Sequence, residues 1–398
     1  MENLNLPQII NLIAMTYFAT ASLYILFFAL AAYAYRRQPH AAIPELKSVW
    51  VLIPAYKEDN VIVETVTSAL KHFSKYCSFD VGVVADSLKP ETLEALRNTK
   101  VKIIQASFEK STKTKSINLA LAQNTELYDW VVLLDADNIM APGFLDNIAV
   151  HMAHGKLIVQ GQRTAKNNNT PFAMLDGISE AVNNSIFRKG HSAVGLSTAL
   201  IGSGFACEYA IFKQIMLNIQ AIGGFDKELE LELLSRKIRI AYAPDAIIYD
   251  EKIQQSEAFF NQRRRWISSQ FIFLFKNIGK GINQLLTHSN IDYFDKLFQY
   301  ALPPRVLSLG LPLLFASTSV LLHILFPQYV SINYFVAWFS IFIATSAAIV
   351  LSIPRRYFTT DLFSALLALP LAFLLMLKAL LKAKGANKTF IHTQHGIR

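Results

Sequence analysis

Two aspartates one residue apart, Asp135 and Asp137, follow the apolar run 130–134. Hard carboxylate oxygens at that spacing can hold one Mg2+ or Mn2+ and leave positions free for diphosphate oxygens and water. The same pattern also serves ordinary turns, where aspartate side chains bond nearby backbone, so its surroundings decide. Tyr56, Glu58 and Asp86 likewise stand just past the ends of apolar runs. Acidic groups gathered at one edge repel each other unless a cation or ligand donors sit among them. Further on, Asp226, Glu228 and Glu230 alternate with other residues. Residues two apart on a helix do not face the same way, so at most one of Glu228 and Glu230 points at a given substrate. A solvated acidic helix start, favoured by the helix dipole, is the competing use. The run Gln262-Arg263-Arg264-Arg265-Trp266 sets Gln262 and Trp266 at i, i+4 with Arg265 beside the latter. That face suits gripping a diphosphate and stacking a sugar; anchoring to lipid headgroups is the alternative.

The elements that must position these residues are legible in the pattern. Runs 48–54, 80–85, 101–105 and 130–134 are short, apolar and rich in β-branched residues, as buried strands are. Between them, 61–73, 89–97 and 112–122 carry helical spacing. Strands alternating with helices predict an α/β fold with a mostly parallel central sheet and helices on both faces. Ligands in such sheets bind outside the carboxyl ends of the strands, where the acidic residues fall. No glycine-rich loop follows the first strand, which disfavours a dinucleotide or ATP site.

The 398 residues are 53% hydrophobic with mean hydropathy +0.31, too apolar for an ordinary soluble protein, and the excess lies at the two ends. From Asn3 to Tyr35 no residue is charged, and Arg36-Arg37 follow. That stretch exceeds the roughly 20 residues needed to cross a bilayer. It lacks the basic start of a signal peptide, and its flanking arginines place the middle of the chain in the cytoplasm. Spans 306–326 and 330–353 are also uncharged, and Arg355-Arg356 mark a cytoplasmic loop. A shorter run, 362–377, broken by Pro370, is taken to cross, although the lysines after it would then lie outside, against the positive-inside bias. The expected organisation is a membrane helix over 1–37, a cytoplasmic domain over 38–252, interfacial amphipathic helices over 253–300 (including one across 284–300), two to three spans within 301–384, and a basic tail over 385–398. His392 and His395 in that tail are too few for a structural metal site.

The net charge of +9 fits positive-inside flanks, membrane lipids or a phosphorylated substrate. Without a basic aromatic surface or a known module it does not indicate nucleic acid. Cys77 and Cys207, far apart, form no disulfide framework and no cysteine-rich metal site. Apart from His323, the spans carry no ionisable residue of the kind transporters use.

The motifs in their order resemble the membrane-integrated family 2 glycosyltransferases of GT-A fold, the group of cellulose, chitin, hyaluronan and poly-N-acetylglucosamine synthases. The resemblance covers roughly residues 48–275 and extends to the flanking membrane helices. Pro54, Tyr56 and Glu58 look like its opening nucleotide-binding loop, and Asp86 like the aspartate that contacts the base. Lys113 resembles the lysine near the nucleotide. Asp135 and Asp137 take the place of its D-x-D, with Asp137 on the metal. Gly202, Ser203 and Gly204 resemble the loop beside the acceptor, and Gln262, Arg265 and Trp266 its Q-x-x-R-W signature.

The family's Glu-Asp, which bears the catalytic base, is not present as such; alignment on its leucines puts Glu228 in the aspartate's place, with Asp226 and Glu230 as rivals. The resemblance implies metal-assisted transfer with inversion from a nucleoside-diphosphate sugar, UDP-sugars favoured, to a glycan or lipid acceptor. It also implies an integral protein of the bacterial inner membrane with its catalytic domain in the cytoplasm. Single transfer to a membrane lipid is one alternative, since the spans are few for a polymer channel; a catalytically silent nucleotide- or lipid-binding subunit is another.

Overall fold

The computed structural model describes residues 6–39, 43, 47–328 and 330–386. The tail expected over 385–398, with its two histidines, lies almost wholly outside them. Eight strands form one sheet: β1 (Lys47–Tyr56), β2 (Cys77–Asp86), β3 (Lys102–Ala106), β4 (Trp130–Leu133), β5 (Ile139–Met140), β6 (Ile158–Ala165), β7 (Phe205–Glu208) and β8 (Ala241–Asp250). Their order is β3-β2-β1-β4-β7-β6-β8-β5. The pairs β1/β2, β2/β3, β1/β4 and β6/β8 are parallel, and β4/β7, β6/β7 and β5/β8 antiparallel. Two antiparallel steps through β7 return the chain direction, so β8 ends on the same edge as β4. The sheet is therefore mixed, and its acidic edge takes residues from both halves.

The β1 sequence shows how the sheet is buried. Val49, Val51 and Ile53 enter one apolar layer with Val61, Ile62, Leu96, Phe144 and Ile148. Trp50 and Leu52 enter the other with Ile117, Phe205, Phe212 and Leu229. The two-residue period sends alternate side chains to opposite faces, and each large side chain so buried contributes about 1.5–3 kcal/mol. The covering helices are α2 (Ile62–Leu70), α3 (Pro90–Arg97), α4 (Lys113–Gln123), α5 (Phe144–Ala153), α8 (Tyr209–Met216) and α9 (Phe225–Ser235). Helix α6 (Pro171–Asn183), capped by the Thr170 hydroxyl on Ala173 N, runs through a π-helical turn over 184–190 into the short α7 (His191–Ala193).

Helix α10 (Ser256–His288) is one 33-residue rod. The helix expected across 284–300 is instead broken: Ser289 takes φ +50°, and the Asn290 side chain caps α11 (Ile291–Ala301) through Tyr293 N. The amphipathic pattern continues through the break, which is why spacing alone hides it.

Among the described residues, three helices are long and apolar enough to cross a membrane: α1 (Leu6–Ala31) with its one-turn extension, α12 (Arg305–Leu325) and α13 (Ile332–Ser352). Twenty-one helical residues rise about 31 Å, the thickness of a hydrocarbon core. Contacts pin α1 to α13 along their length: Trp338 Nε1 to Asn11 Oδ1 at 3.0 Å, Ser22 to Thr345 at 2.7 Å and Tyr33 Oη to Leu351 O at 2.8 Å. Helices α14 (Asp361–Leu367) and α15 (Leu369–Leu381) form a pair bent by 46°. Ala365 joins an apolar cluster with Met174 and Ile178 of α6. Met376 and Ala379, with Ala383 just beyond the helix, join Phe259 and Ile253. Both ends of the pair thus meet elements that support the sheet.

Candidate active site

Asp135 follows β4, Asp137 lies two residues on, and β5 pairs Ile139 with Tyr249, drawing the end of β8 alongside. Carboxylate oxygens of Asp135, Asp137 and Asp250 lie within 4.8 Å of one another. Glu251 N donates to Asp137 Oδ2 at 3.2 Å, and Asn138 Nδ2 donates to both Asp137 Oδ1 (3.2 Å) and Asp250 Oδ1 (3.0 Å). Three convergent hard oxygens suit a divalent cation. Asp250 was not among the residues singled out in the sequence. Its signal was the one that picked out Asp86, an aspartate closing a β-branched strand, but no recognised motif surrounds it.

Cations face this cluster from two sides. Lys113, the first residue of α4, pairs with Asp135 and donates to Gly202 O at 2.6 Å. On the other side Asp250 receives Lys252 at 2.7 Å and lies 3.7 Å from Arg163. Burial alone would raise the Asp250 carboxyl, but Lys252 and Arg163 together hold it below the usual carboxylate range. Behind them, Glu180 of α6 pairs with Arg163 (2.7 Å), Arg188 (2.9 Å) and Lys252 (3.8 Å).

The 202–204 loop closes over Asp135. Ser203 Oγ accepts from Asp135 N at 2.8 Å and bonds Asn138 Oδ1. Gln160 Nε2 donates to Ser203 O and Gly204 O, while its Oε1 accepts from Ile201 N; this latch carried no sequence signal. Gly204 has φ +64°, and a Cβ there would meet the Ile248 side chain at 2.3 Å, so any other residue would be strained and would displace Ile248. Asp86 is fully buried at the end of β2, in register with Tyr56 of β1, and Pro54 pairs with Val84 two positions earlier. Asp86 Oδ2 accepts no hydrogen bond among the described residues, so a ligand donor would satisfy it. Glu58 O caps α2 by accepting from Ile62 N at 3.1 Å.

The acidic residues of α9 separate by face. Phe225 lies under the Lys113 ammonium, 5.1 Å from the ring centroid. A Cβ on Gly202 would stand 3.5 Å from that of Asp226, which puts Asp226 beside the loop that holds Asp135. Glu230, one turn on, is buried; it accepts from Leu200 N at 3.0 Å and pairs with Lys296 at 2.8 Å. Burial pushes its carboxyl up, and Lys296 offsets only part of that. Glu228, favoured by alignment, is turned to the other face. It shares a shallow depression with Ile215, Asn218, Glu232 and Arg236 and lies 3.7 Å from Lys276. The helix starts at Phe225, so two residues of helical rotation carry Glu228 away from the side Asp226 occupies.

Residues 262–266 lie one layer further out, on α10. Arg263 pairs with Asp176 of α6 and stacks between Phe259 (4.9 Å) and Trp266 (4.4 Å). Trp266 is 39% exposed, and Gln262 and Arg265 are half-buried. Arg265, four residues before Ser269, shares a helical face with it, and Ser269 is 3.1 Å from where a Gly224 Cβ would stand. This places the motif along the flank of the α9 start.

Residues 44–269 match the family described as glycosyltransferase like family 2. Among solved structures, a mannosyltransferase from Pyrobaculum calidifontis, in complex with GDP-Man and Mn2+, is 17% identical with TM-score 0.53; the match covers 85% of this chain and 97% of that one. At that identity the likeness concerns the fold, which is GT-A. A glucosyl-3-phosphoglycerate synthase from Mycobacterium tuberculosis, in complex with Mn2+, UDP and glucosyl-3-phosphoglycerate, is 15% identical over 60% of this chain and 86% of that one; its TM-score of 0.43 is too low to carry an argument. No curated protein matches the chain by sequence.

Proposed function

Since the chain belongs to the glycosyltransferase like family 2 and is a glycosyltransferase, we propose that it moves a sugar from a nucleoside diphosphate, with UDP-sugars favoured, to a glycan or lipid hydroxyl at the cytoplasmic membrane face, inverting the anomeric centre. The observation that carries this reading is the oxygen triad of Asp135, Asp137 and Asp250, on the same sheet edge as the buried, unmet carboxylate oxygen of Asp86. The donor set fits Mg2+ or Mn2+. When bound, the ion supplies positive charge against that developing on the leaving diphosphate. Asp86 and Tyr56 would hold the base, and Lys113, released from Asp135, the diphosphate, while Gly202–Gly204 floors the sugar pocket. Arg265 and Trp266 flank the acceptor side.

Asp226 is the better-supported base, Glu228 the alternative. Asp226 takes the proton from the acceptor hydroxyl as that oxygen bonds the anomeric carbon, and the diphosphate leaves with the electron pair on the opposite side. The contacts at both ends of the α14–α15 pair support an in-plane strap rather than a fourth crossing. Three spans then leave the catalytic domain and the tail on one side, which agrees with the basic flanks. The test is release of nucleoside diphosphate by the full chain in nanodiscs across UDP- and GDP-sugars, with and without Mn2+, followed by NMR of the product anomer. Retained configuration, or undiminished release by Asp137→Ala, would sink the reading.

A further inference from the structure

The cations where α10 meets the first turn of α12 outnumber the carboxylates available to them among the described residues. Arg305, the first residue of α12, donates to Asn183 Oδ1 at 2.6 Å and to Ser179 Oγ at 2.7 Å, both neutral. Arg263 and Arg188 are among its charged neighbours, with Glu180 and Asp176 opposing them. Glu180 is already committed to Arg163, Arg188 and Lys252, and Asp176 to Arg263. Arg263 is 8% exposed, yet among the described residues its Nε finds no acceptor, and neither does the buried Nε of Arg264. Arg264 and Lys378 of α15 lie over the same ring, Phe260, at 5.8 and 5.3 Å. Among the described residues, the one ion pair made by Arg263, Arg264, Arg305 and Lys378 is Arg263–Asp176. An arginine cannot shed its charge, so this surplus calls for an anion from outside.

We infer that Arg263, Arg264, Arg305 and Lys378 form a subsite for the phosphate or diphosphate headgroup of a lipid-linked acceptor. Guanidinium forks match phosphate oxygens and form charge-assisted hydrogen bonds with them. Location selects a lipid: Arg305 opens a candidate membrane span, and α10, α12 and α15 share one apolar cluster containing Phe259, Leu307 and Met376. An acceptor, rather than bulk lipid, is favoured by what leads inward. Asp176, Ser179, Glu180 and Asn183 recur at i, i+3, i+4, i+7 on α6, so one polar helical face runs from this subsite to Lys252 and Asp250 at the acidic triad. The inference rests on the proposed sugar transfer and names the class of its acceptor.

The experiment uses the full chain in phosphatidylcholine nanodiscs containing polyprenyl monophosphate, with retention read by native mass spectrometry. Wild type should retain the monophosphate about tenfold better than phosphatidylglycerol. Arg305→Gln and Lys378→Gln should each lower retention by about tenfold, with Arg305→Lys in between. Binding of UDP with Mn2+ should stay at the wild-type level in all three. Undiminished retention by a monodisperse Arg305→Gln would overturn the inference. So would equal retention of phosphatidylglycerol, which marks bulk headgroup binding, or full displacement by millimolar inorganic phosphate, which marks a free-anion site. Failure of wild type to bind any nucleoside diphosphate with Mn2+ would strike the sugar-transfer reading instead, because that arm does not involve the arginines.

Discussion

The acidic edge at the ends of β4 and β8 and the arginine-rich junction of α10 with α12 both concentrate charge away from water, but they settle it differently. At the sheet edge every carboxylate of the triad has a protein partner: Asp135 has Lys113, Asp137 has Glu251 N, and Asp250 has Lys252. At the junction, of Arg263, Arg264, Arg305 and Lys378 only Arg263 forms an ion pair among the described residues, with Asp176. The compensated region can persist without ligand and exchange its partners for an ion and a diphosphate. The junction is only partly compensated, with Arg305 held by neutral hydrogen bonds, and on the role inferred for it takes an anion. His151 on α5 shows a third outcome. Burial, helped by His154 and Lys156 and only partly offset by Asp245, pushes it down to about 4 and keeps it neutral, which arginine cannot do.

The largest effect tests whether the compensated edge is catalytic. Asp137→Ala should lower sugar transfer by about 10³-fold or more, since several kcal/mol of leaving-group stabilisation go with the ion; steady-state rates with saturating Mn2+ check this. Next, Asp226→Asn should cost about 10²–10⁴-fold in kcat, as loss of a general base does, while Glu228→Gln, on the other face of α9, should stay within about threefold. The reverse ranking would return the base to Glu228. Glu180→Gln should destabilise by about 3–5 kcal/mol in denaturant unfolding, because it strands Arg188 in the interior and leaves Arg163 and Lys252 to share Asp250.

For His151 the folded value lies below the unfolded one, so its contribution is full above about pH 6.5 and is lost as pH falls towards about 4. Wild type should lose up to about 3 kcal/mol across that window relative to His151→Gln. The smallest effect is the sharpest contrast: Arg305→Gln should leave stability within about 1 kcal/mol of wild type, since it removes a buried charge whose hydrogen-bond partners are neutral and can accept from the Gln amide instead. A large loss there would mean that the junction is as compensated as the edge.

Much of this was legible from spacing. The four expected strands and three helices of the first half fall within a few residues of their observed ends, because apolar alternation and Thr112-type caps are local. Asp135 and Asp137 were legible for the same reason. Asp250 was not, since its part depends on β8 running parallel to β4 after two reversals, a fact of topology. Leucine spacing fixes which residues of α9 are buried but not where the helix begins, so it could not tell that Glu228 and Asp226 lie on different faces. The surplus at Arg305 was invisible as well, for its neighbours Ser179 and Asn183 lie more than a hundred positions upstream.

The candidate membrane span made first is finished last. Tyr24 of α1 hydrogen-bonds Asp295 and His191, Phe28 stacks on His191 at 3.6 Å, and Ser22 reaches Thr345, 323 positions away. On the proposed topology α1 enters the bilayer during synthesis with its polar contacts unmade and tethers a catalytic domain that folds beneath it. Only when α13 emerges can the bundle close. A nascent chain halted before Thr345 should already bind nucleotide while leaving Ser22 open to a cysteine-directed reagent once it is replaced by Cys, so the order of biogenesis is written in which end of α1 finds its partner first.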